Sequence, residues 1–314
     1  MRNWGHEYMA FKIYKMSFHR AHFGKGYLNS SGMLFDASRL YSALCLEAIK
    51  NDCLDEFINL SFKDDFYLSD AFPYVGEPYF PKPICYPSLK KFDLRTLKED
   101  NDTNKFLNMI TSVPLSMMSD FISGKADPRM LAEDEQSFFK NSIVVRKGED
   151  PYEVGVTSFN QDVYVLATQS DLFDELMTSI QYSGLGGKRS SGYGTFELEI
   201  VDLPEGLEGL LNNGGNEQLL LTTSLPEDTE LVHAMTGARY QLVKRSGFAY
   251  SETASQLLRK QDLYKFKAGS VFVNKFKGQI SDVSPYNYPH PVYNFSKGLF
   301  LDLKGVRDNE KLSY

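Results

Sequence analysis

The sequence predicts an α+β protein made of two tandem ferredoxin-like (RRM-like) units with antiparallel sheets and loop insertions. Three observations lead there. At 314 residues the chain is about twice a typical single domain. Its longer first part runs strand, helix, a group of β-rich runs, then helix and strand, the order of a β-α-β-β-α-β unit. After a polar, glycine-bearing linker a shorter β-α-β pattern follows, and Lys188-Arg189-Ser190 recurs as Lys244-Arg245-Ser246. The division implied is 1–203 for an N-terminal domain, with an insertion over about 51–140, and 204–314 for a smaller C-terminal domain.

The elements follow in order. Met9–Phe18 reads as a half-buried strand with Phe11, Ile13, Met16 and Phe18 inward and Lys12 and Lys15 outward. Asp36 is placed to N-cap a buried helix over Ala37–Lys50, whose Leu40, Leu44 and Ala48 share one face and Tyr41, Cys45 and Ile49 the adjoining one. Prolines 73, 78, 81, 83 and 87 argue against regular structure through much of Phe72–Lys90. The acid-rich Lys98–Asn104 reads as a solvated loop. Asn141–Arg146 and Tyr152–Phe159 are β-rich runs around a turn, and Asp162–Thr168 is a further strand. Ser170 caps a helix over Asp171–Tyr182 that Gly184 ends, and a strand over Tyr193–Ile200 follows. Pro204–Asn216 reads as a linker. Beyond it lie a strand at Gln218–Ser224, a helix at Pro226–Met235 and strands at Tyr240–Val243, Ser270–Phe276 and Gly298–Leu303.

Composition narrows the function classes. Hydrophobic residues make up 42% and charged residues 24%, the balance of a folded globular chain. No apolar run reaches the ~18–20 residues that cross a bilayer, and the N-terminus has no apolar stretch like a secretory signal. Cys45, Cys53 and Cys85 make neither a disulfide framework nor a zinc pattern, so a reducing cytoplasm without metal or other cofactor is expected. The net charge is −7, yet Tyr8–Phe35, Leu176–Phe196, His233–Tyr250 and Tyr264–Gln279 contain no Asp or Glu. Those windows hold 13 of the 34 Lys and Arg, leaving 21 against 41 acidic residues elsewhere. Such segregation suits a polyanion-binding groove on an otherwise acidic protein.

Gly184–Gly194, GLGGKRSSGYG, carries the most chemistry. Its five glycines permit positive φ and close backbone approach, and successive unhindered N–H groups make an anion nest. Lys188 and Arg189 add charge, and Ser190 and Ser191 add neutral donors. Tyr193 is either a base-stacking ring or the first core residue of its strand. A Walker loop is excluded because Tyr182 stands where Gly is needed and Arg189 where Ser or Thr is needed. The dinucleotide pattern beginning at Gly184 fails at Arg189, and the order here is helix, loop, strand rather than strand, loop, helix.

With its helix, this loop resembles the glycine-rich loop of the RAMP superfamily, the ferredoxin-like RNA-binding proteins of CRISPR systems. Within it, HFGKGYL (His22–Leu28), FDASRLYSALCLEA (Phe35–Ala48), YFPKP (Tyr79–Pro83), KRSGF (Lys244–Phe248) and HPVYNFSKGL (His290–Leu299) resemble one subfamily, the fourth subunit of the type III-A Csm effector. The resemblance runs from about Lys15 to Leu299. It implies a non-catalytic subunit, similar to the Cas-five group, that holds the repeat-derived 5′ handle of the CRISPR RNA (crRNA). Such a subunit caps the filament of backbone RAMP subunits and docks the large polymerase/cyclase-type subunit.

The RNA-facing positions implied are Gly184, Gly186, Gly187, Lys188, Arg189, Ser190, Ser191, Gly192 and Tyr193 of the loop, with His22 and Lys25. To these are added Ser38, Arg39 and Ser42 at the helix start and Lys244, Arg245 and Ser246. One departure is Ala37, where the family more often has threonine after the aspartate. Two alternatives stand beside this reading. His22 is also placed as a general base, which would make the chain a metal-independent endoribonuclease processing precursor crRNA. Asp36 is also a candidate metal-ribonuclease acid, although no second carboxylate lies nearby in sequence. Lys82, between two prolines, contacts either RNA or a neighbouring subunit on this reading.

Overall fold

In the computed structural model, which describes residues 10–86, 97–147, 150–212, 214–249 and 257–303, the main sheet grows around strand β1 (Phe11–Phe18). Short strands β2 (Arg20–Ala21), β3 (Phe23–Gly24) and β4 (Ser31–Gly32) follow, then helices α1 (Ala37–Lys50) and α2 (Leu54–Phe62). Next come β5 (Phe72–Val75), β6 (Glu77–Pro81), α3 (Leu97–Met109), β7 (Ser112–Pro114), α4 (Met118–Ile122) and α5 (Pro128–Gln136). The N-terminal part ends with β8 (Phe139–Arg146), β9 (Tyr152–Phe159), β10 (Asp162–Thr168), α6 (Asp171–Ser183) and β11 (Phe196–Val201). The six-stranded sheet has the order β11-β1-β10-β5-β6-β7, with antiparallel pairing around β1 and β10. Its first four strands, with α1 after β1 and α6 before β11, reproduce the ferredoxin arrangement.

Both faces of this sheet are buried, because successive strand residues point to opposite sides. Tyr14, Met16 and Phe18 of β1 and Val163, Val165 and Ala167 of β10 pack with α1 and α6. Phe11, Ile13, Tyr164 and Leu166 pack on the other side against the insertion and the C-terminal part. The half-buried first strand expected above is therefore sandwiched. Its Lys12 and Lys15 reach Asp202 and Glu199 at the margin.

The C-terminal part contains α7 (Leu207–Asn212), β12 (Gln218–Leu220), α8 (Asp228–Met235), β13 (Leu242–Arg245), β14 (Phe248–Ala249) and β15 (Leu258–Arg259). It continues with β16 (Leu263–Phe266), β17 (Val271–Phe272), β18 (Gly278–Asp282), β19 (Tyr293–Lys297) and β20 (Phe300–Asp302). Its central sheet runs β17-β12-β20, and the β13–β16, β14–β15 and β18–β19 pairs surround it. Small antiparallel sheets with helices thus occur in tandem, as an α+β reading requires. The two parts also share a core, since Leu219, Leu221, Leu299 and Leu301 belong to the cluster holding Ile13 and Leu166.

Several local expectations are corrected. Pro73, Pro78 and Pro81 lie within β5 and β6, because each strand pairs over only two or three residues per side and proline's fixed φ suits extended backbone. Pro87 and the stretch to Lys90 fall outside the described residues. Lys98–Asn104 lies within α3, which Leu107 anchors in the core. The linker contains α7, whose Leu207, Leu210 and Leu211 are buried at helical spacing. Leu46 and Ile49 of α1 are 52% and 53% exposed, so the face that carries them is not wholly core. The β8–β9 ribbon joins β2 in a separate sheet, and Phe72–Val75 supplies the ferredoxin strand instead. No helix among the described residues is long and apolar enough to cross a membrane.

The two parts meet over buried charge. Asp70 accepts hydrogen bonds from the Ala37 amide at 2.9 Å, the Thr223 amide at 3.1 Å and the Thr223 hydroxyl at 2.6 Å. It therefore ties the first turn of α1 to the C-terminal part. Asp36 caps α1 by accepting from the Arg39 amide at 3.0 Å and pairs with Arg245 Nε at 2.5 Å. Beneath them Lys265 donates to the Phe295 carbonyl at 2.7 Å and to Asn294 at 3.1 Å.

Burial by itself would raise Asp36, but Arg245, Lys265 and Arg39 hold it below its ordinary value. Burial, with the Asp36 charge beside it, pushes Asp70 from the ordinary 3.8 up to about 6. Burial pushes Lys265 down to about 8 against the pull of Asp36 and Asp70. Between the ordinary and raised values Asp70 holds a proton in the folded state that the unfolded chain has lost. Its contribution to stability is thus complete at low pH and falls as pH rises through about 6. Asp70→Asn should flatten that part of the stability profile, a change of roughly 3 kcal/mol across the window. Thermal denaturation followed against pH measures it, and an unchanged slope would mean that Asp70 ionises freely.

Candidate nucleic-acid interface

Two backbone approaches shape the glycine loop. Gly194 has φ +87°, and a Cβ there would lie 2.1 Å from the Leu185 carbonyl oxygen. That closeness lets Leu185 N–H bond to Gly194 O at 2.8 Å and Gly194 N–H to Arg20 O at 2.9 Å, closing the loop against β2. Gly186, at φ +98°, lies where a Cβ would meet the His22 carbonyl oxygen at 2.7 Å, and Gly187 N–H bonds that oxygen at 2.9 Å. Leu185 is the buried anchor between these contacts. The loop is thus pinned to the segment after β1, and its tip projects.

At the tip, Lys188 adopts the left-handed conformation and Arg189–Ser191 form one 3-10 turn. Among the described residues the Lys188, Arg189 and Ser190 amides have no hydrogen-bond acceptor. Arg189, Ser190, Ser191 and Gly192 are exposed. Lys188 is half-buried with its ammonium 4.6 Å from the Tyr152 ring centre, a cation–π contact that turns it toward β9. Tyr193 is only 7% exposed: its ring packs with Val154 and Val156 and its hydroxyl accepts from Arg146 at 3.2 Å. Of the two roles open to Tyr193, it occupies the core one, ahead of a strand that begins at Phe196.

The remaining expected residues converge. His22, Gly184, Gly186, Gly187 and Arg189 line a depression of ≈ 360 Å³ together with Arg39 and Ser42. Lys25, Arg39, Lys244, Arg245 and Ser246 line a larger groove of ≈ 720 Å³. Ser38, Arg39, Ser42, Arg245 and Ser246 line a third recess of ≈ 230 Å³. Arg39 borders all three, so they form one trough along the N-terminal end of α1. Arg39 is held there by its Nη2, which donates to the Gly24 carbonyl at 2.9 Å, and by the Phe23 ring 5.8 Å away. Among the described residues Asp36 is the one carboxylate on the trough's lining, and it pairs with Arg245. Lys188, Ser190, Ser191, Gly192 and Tyr193 do not line it.

His22 is 6% exposed, and its Nδ1 lies 2.6 Å from the Gly155 carbonyl oxygen. A carbonyl only accepts, so Nδ1 carries a proton and donates it to that oxygen. Asp36 acts as the cap of α1 rather than in a carboxylate pair, with Ser38 Oγ donating to it at 3.0 Å. Lys82 turns inward, and its ammonium donates to the Leu107 carbonyl at 2.5 Å.

The acid-free windows are not acid-free in space. Lys244 pairs with Asp262 at 2.8 Å, Lys277 with Asp64 at 2.6 Å, and Arg239 with Glu217 at 3.4 Å. Lys25, Lys188 and Arg189 form no salt bridge among the described residues. Phe248, Arg259 and Lys260 also line the trough, beyond the positions the sequence singles out. The signal for Phe248 is its place directly after Lys244–Gly247, whereas Arg259 and Lys260 are set apart from every motif.

Replacing Gly192, whose φ is +82° but whose Cβ would meet nothing within 4 Å, should cost only left-handed strain. That is about 1–2 kcal/mol for Gly192→Ala. Gly194→Ala adds the clash with Leu185 and should lower Tm by several degrees more. Equal destabilisation of the two variants in thermal denaturation would show that the close approach does not hold the loop.

Comparison with known proteins adds a family context. Residues 213–303 match the family model described as the CRISPR Csm4 C-terminal domain. Over 303 residues the chain is 43% identical to "CRISPR system Cms protein Csm4" of Streptococcus thermophilus, covering 94% of this chain and 100% of that one. It is 37% identical over 313 residues to the protein so described from Mycobacterium tuberculosis strain H37Rv, covering 94% and 98%. Among solved structures it is similar to the Csm3-Csm4 subcomplex in the type III-A CRISPR-Cas interference complex. The TM-score there is 0.62 at 17% identity, over 93% of this chain and 99% of that one. It is also similar to the Csm1-Csm4 cassette in complex with pppApA, with TM-score 0.59 at 16% identity over 93% and 97%. At those identities the structural likeness speaks to the fold.

Proposed function

The chain belongs to the Csm4 family of type III-A CRISPR effector subunits, and from that membership we propose that its trough holds the 5′ handle of a crRNA. The observation that carries this reading is the meeting of three sequence-distant stretches around Arg39: the loop after β1 with the start of α1, the glycine loop, and Lys244–Ser246. Arg39, Arg189, Arg245 and Lys25 there, with the hydroxyls of Ser38, Ser42 and Ser246, are donors for a sugar-phosphate chain. The role is structural: the chain holds the handle, ends the filament of backbone RAMP subunits and docks the large polymerase/cyclase-type subunit in the cytoplasm. We also take 1–203 and 204–314 as its two units, joined by the shared core and the Asp70 junction.

The assembly partners named for the related structures, Csm3 and Csm1, support this placement by analogy. Exposed apolar side chains lie beside the trough as well as away from it. Leu46 lines the glycine-loop depression, and Ile49 is on the same helix.

Arg189 is exposed and lines the trough, so Arg189→Ala tests the phosphate contact without disturbing the core. It should weaken retention of single-stranded repeat RNA and reduce the log–log salt slope by about 0.7 for each phosphate that is no longer neutralised. Ser191→Ala, away from the trough, should change neither quantity in a filter assay. Identical binding by Arg189→Ala and the unaltered chain would remove the glycine loop from RNA contact. With labelled precursor RNA in chelator the full chain should leave the RNA intact. Cleavage that His22→Ala abolishes would instead establish the endoribonuclease.

A further inference from the structure

We propose that Phe248 is a stacking post for one nucleobase of the strand in the trough, its phosphates lying toward Lys25, Arg39 and Arg245. The proposal rests on the RNA reading above and specifies how a base, rather than the backbone, is held. Phe248 is 61% exposed although it sits in a paired strand, opposite Arg259. Among the described residues no other ring packs on it. Its side chain lines the larger groove, whose ≈ 720 Å³ lies in the range of about 300–1,000 Å³ typical of sites for small organic groups.

The surroundings decide what that ring is for. The groove is mixed: Phe23, Leu34 and Phe35 give it apolar lining, while Lys25, Arg39, Lys244, Arg245 and Arg259 give it charge, and Gly24, Gly26 and Gly247 leave backbone close at hand. A purely apolar partner would leave those cations without counter-charge. An exposed flat ring beside cations matches a ligand that is flat and apolar at one end and anionic at the other. A nucleotide in a single strand is such a ligand, and base–aromatic stacking tolerates any base. Arg245 is oriented for this by its pairing with Asp36, and Lys244 and Arg259 by Asp262. Phe248 closes the motif Lys244–Phe248, whose first three residues alone are RNA-facing on the family resemblance.

The experiment compares the full chain with Phe248→Ala, Phe248→Leu and Phe248→Tyr. The probes are fluorescein-labelled single-stranded oligoadenylate and an oligomer of equal length made of abasic ribose phosphate. The unaltered chain should bind oligoadenylate more tightly than the abasic strand. Phe248→Ala and Phe248→Leu should lose about 5- to 140-fold in oligoadenylate affinity, leave abasic binding unchanged and keep the same salt slope. Phe248→Tyr, which keeps the ring, should restore the preference.

If the unaltered chain binds both probes equally, or Phe248→Ala keeps the preference, the stacking post is overturned while RNA binding stands. If Phe248→Ala or Phe248→Leu weakens both probes alike, the ring supports the fold or a protein contact and the proposal fails. If the unaltered chain binds neither probe, the RNA reading fails and the stacking post fails with it.

Discussion

The molecule depends on a charge buried where its two parts meet. Asp70 is buried and holds both the first amide of α1 and the backbone and hydroxyl of Thr223. A carboxylate in that position is costly to bury, and these three donors offset only part of the cost, for burial and the neighbouring Asp36 charge still raise Asp70 to about 6. Asp36, one residue before α1, is held by Arg245 from the C-terminal part, with Lys265 beneath. Removing Arg245 would leave the Asp36 carboxylate buried without its nearest counter-charge. The same cluster aims the N-terminal end of α1, and with it Arg39, at the trough. A second buried ammonium, Lys297, repeats the device by donating to the Ser61 carbonyl at the end of α2 at 3.2 Å.

The trough follows from that junction. Neither part alone contains it, since Lys25 and Arg39 come from one and Arg245 and Phe248 from the other. The glycine loop contributes through close packing as much as through charge. Gly186 and Gly194 bring it against His22 and Arg20. Lys188, the residue one would credit first for phosphate binding, spends its charge on Tyr152 and so braces the loop against the β8–β9 ribbon. Arg189 is the cation of the pair that reaches the trough.

What was legible in the sequence was local and periodic. Asp36 and Ser170 are caps where the residue types demanded them, α1 spans Ala37–Lys50 as its pattern indicated, and Gly184 ends α6 at positive φ. The ferredoxin order was legible in outline. Its second strand was hidden because Pro73 and Pro78 argue against strands, and only the pairing partners, β10 and β6, show why prolines fit there. The same limit applies to charge. An acid-free window says nothing of acids that fold back on it, as Asp262 does on Lys244 and Asp64 on Lys277. Buried Asp70 and Lys265 carry no local signature at all, for their partners lie far away in the chain.

The central claim is that one trough, built from both parts around Arg39, carries the RNA strand. Photo-crosslinking of bound single-stranded repeat RNA, with the attached peptides located by mass spectrometry, tests it most directly. Crosslinks are expected on the segments around Lys25, Arg39, Arg189 and Phe248 together. Crosslinks confined to the surface around α8 or the β18–β19 hairpin, with none in those four segments, would contradict it.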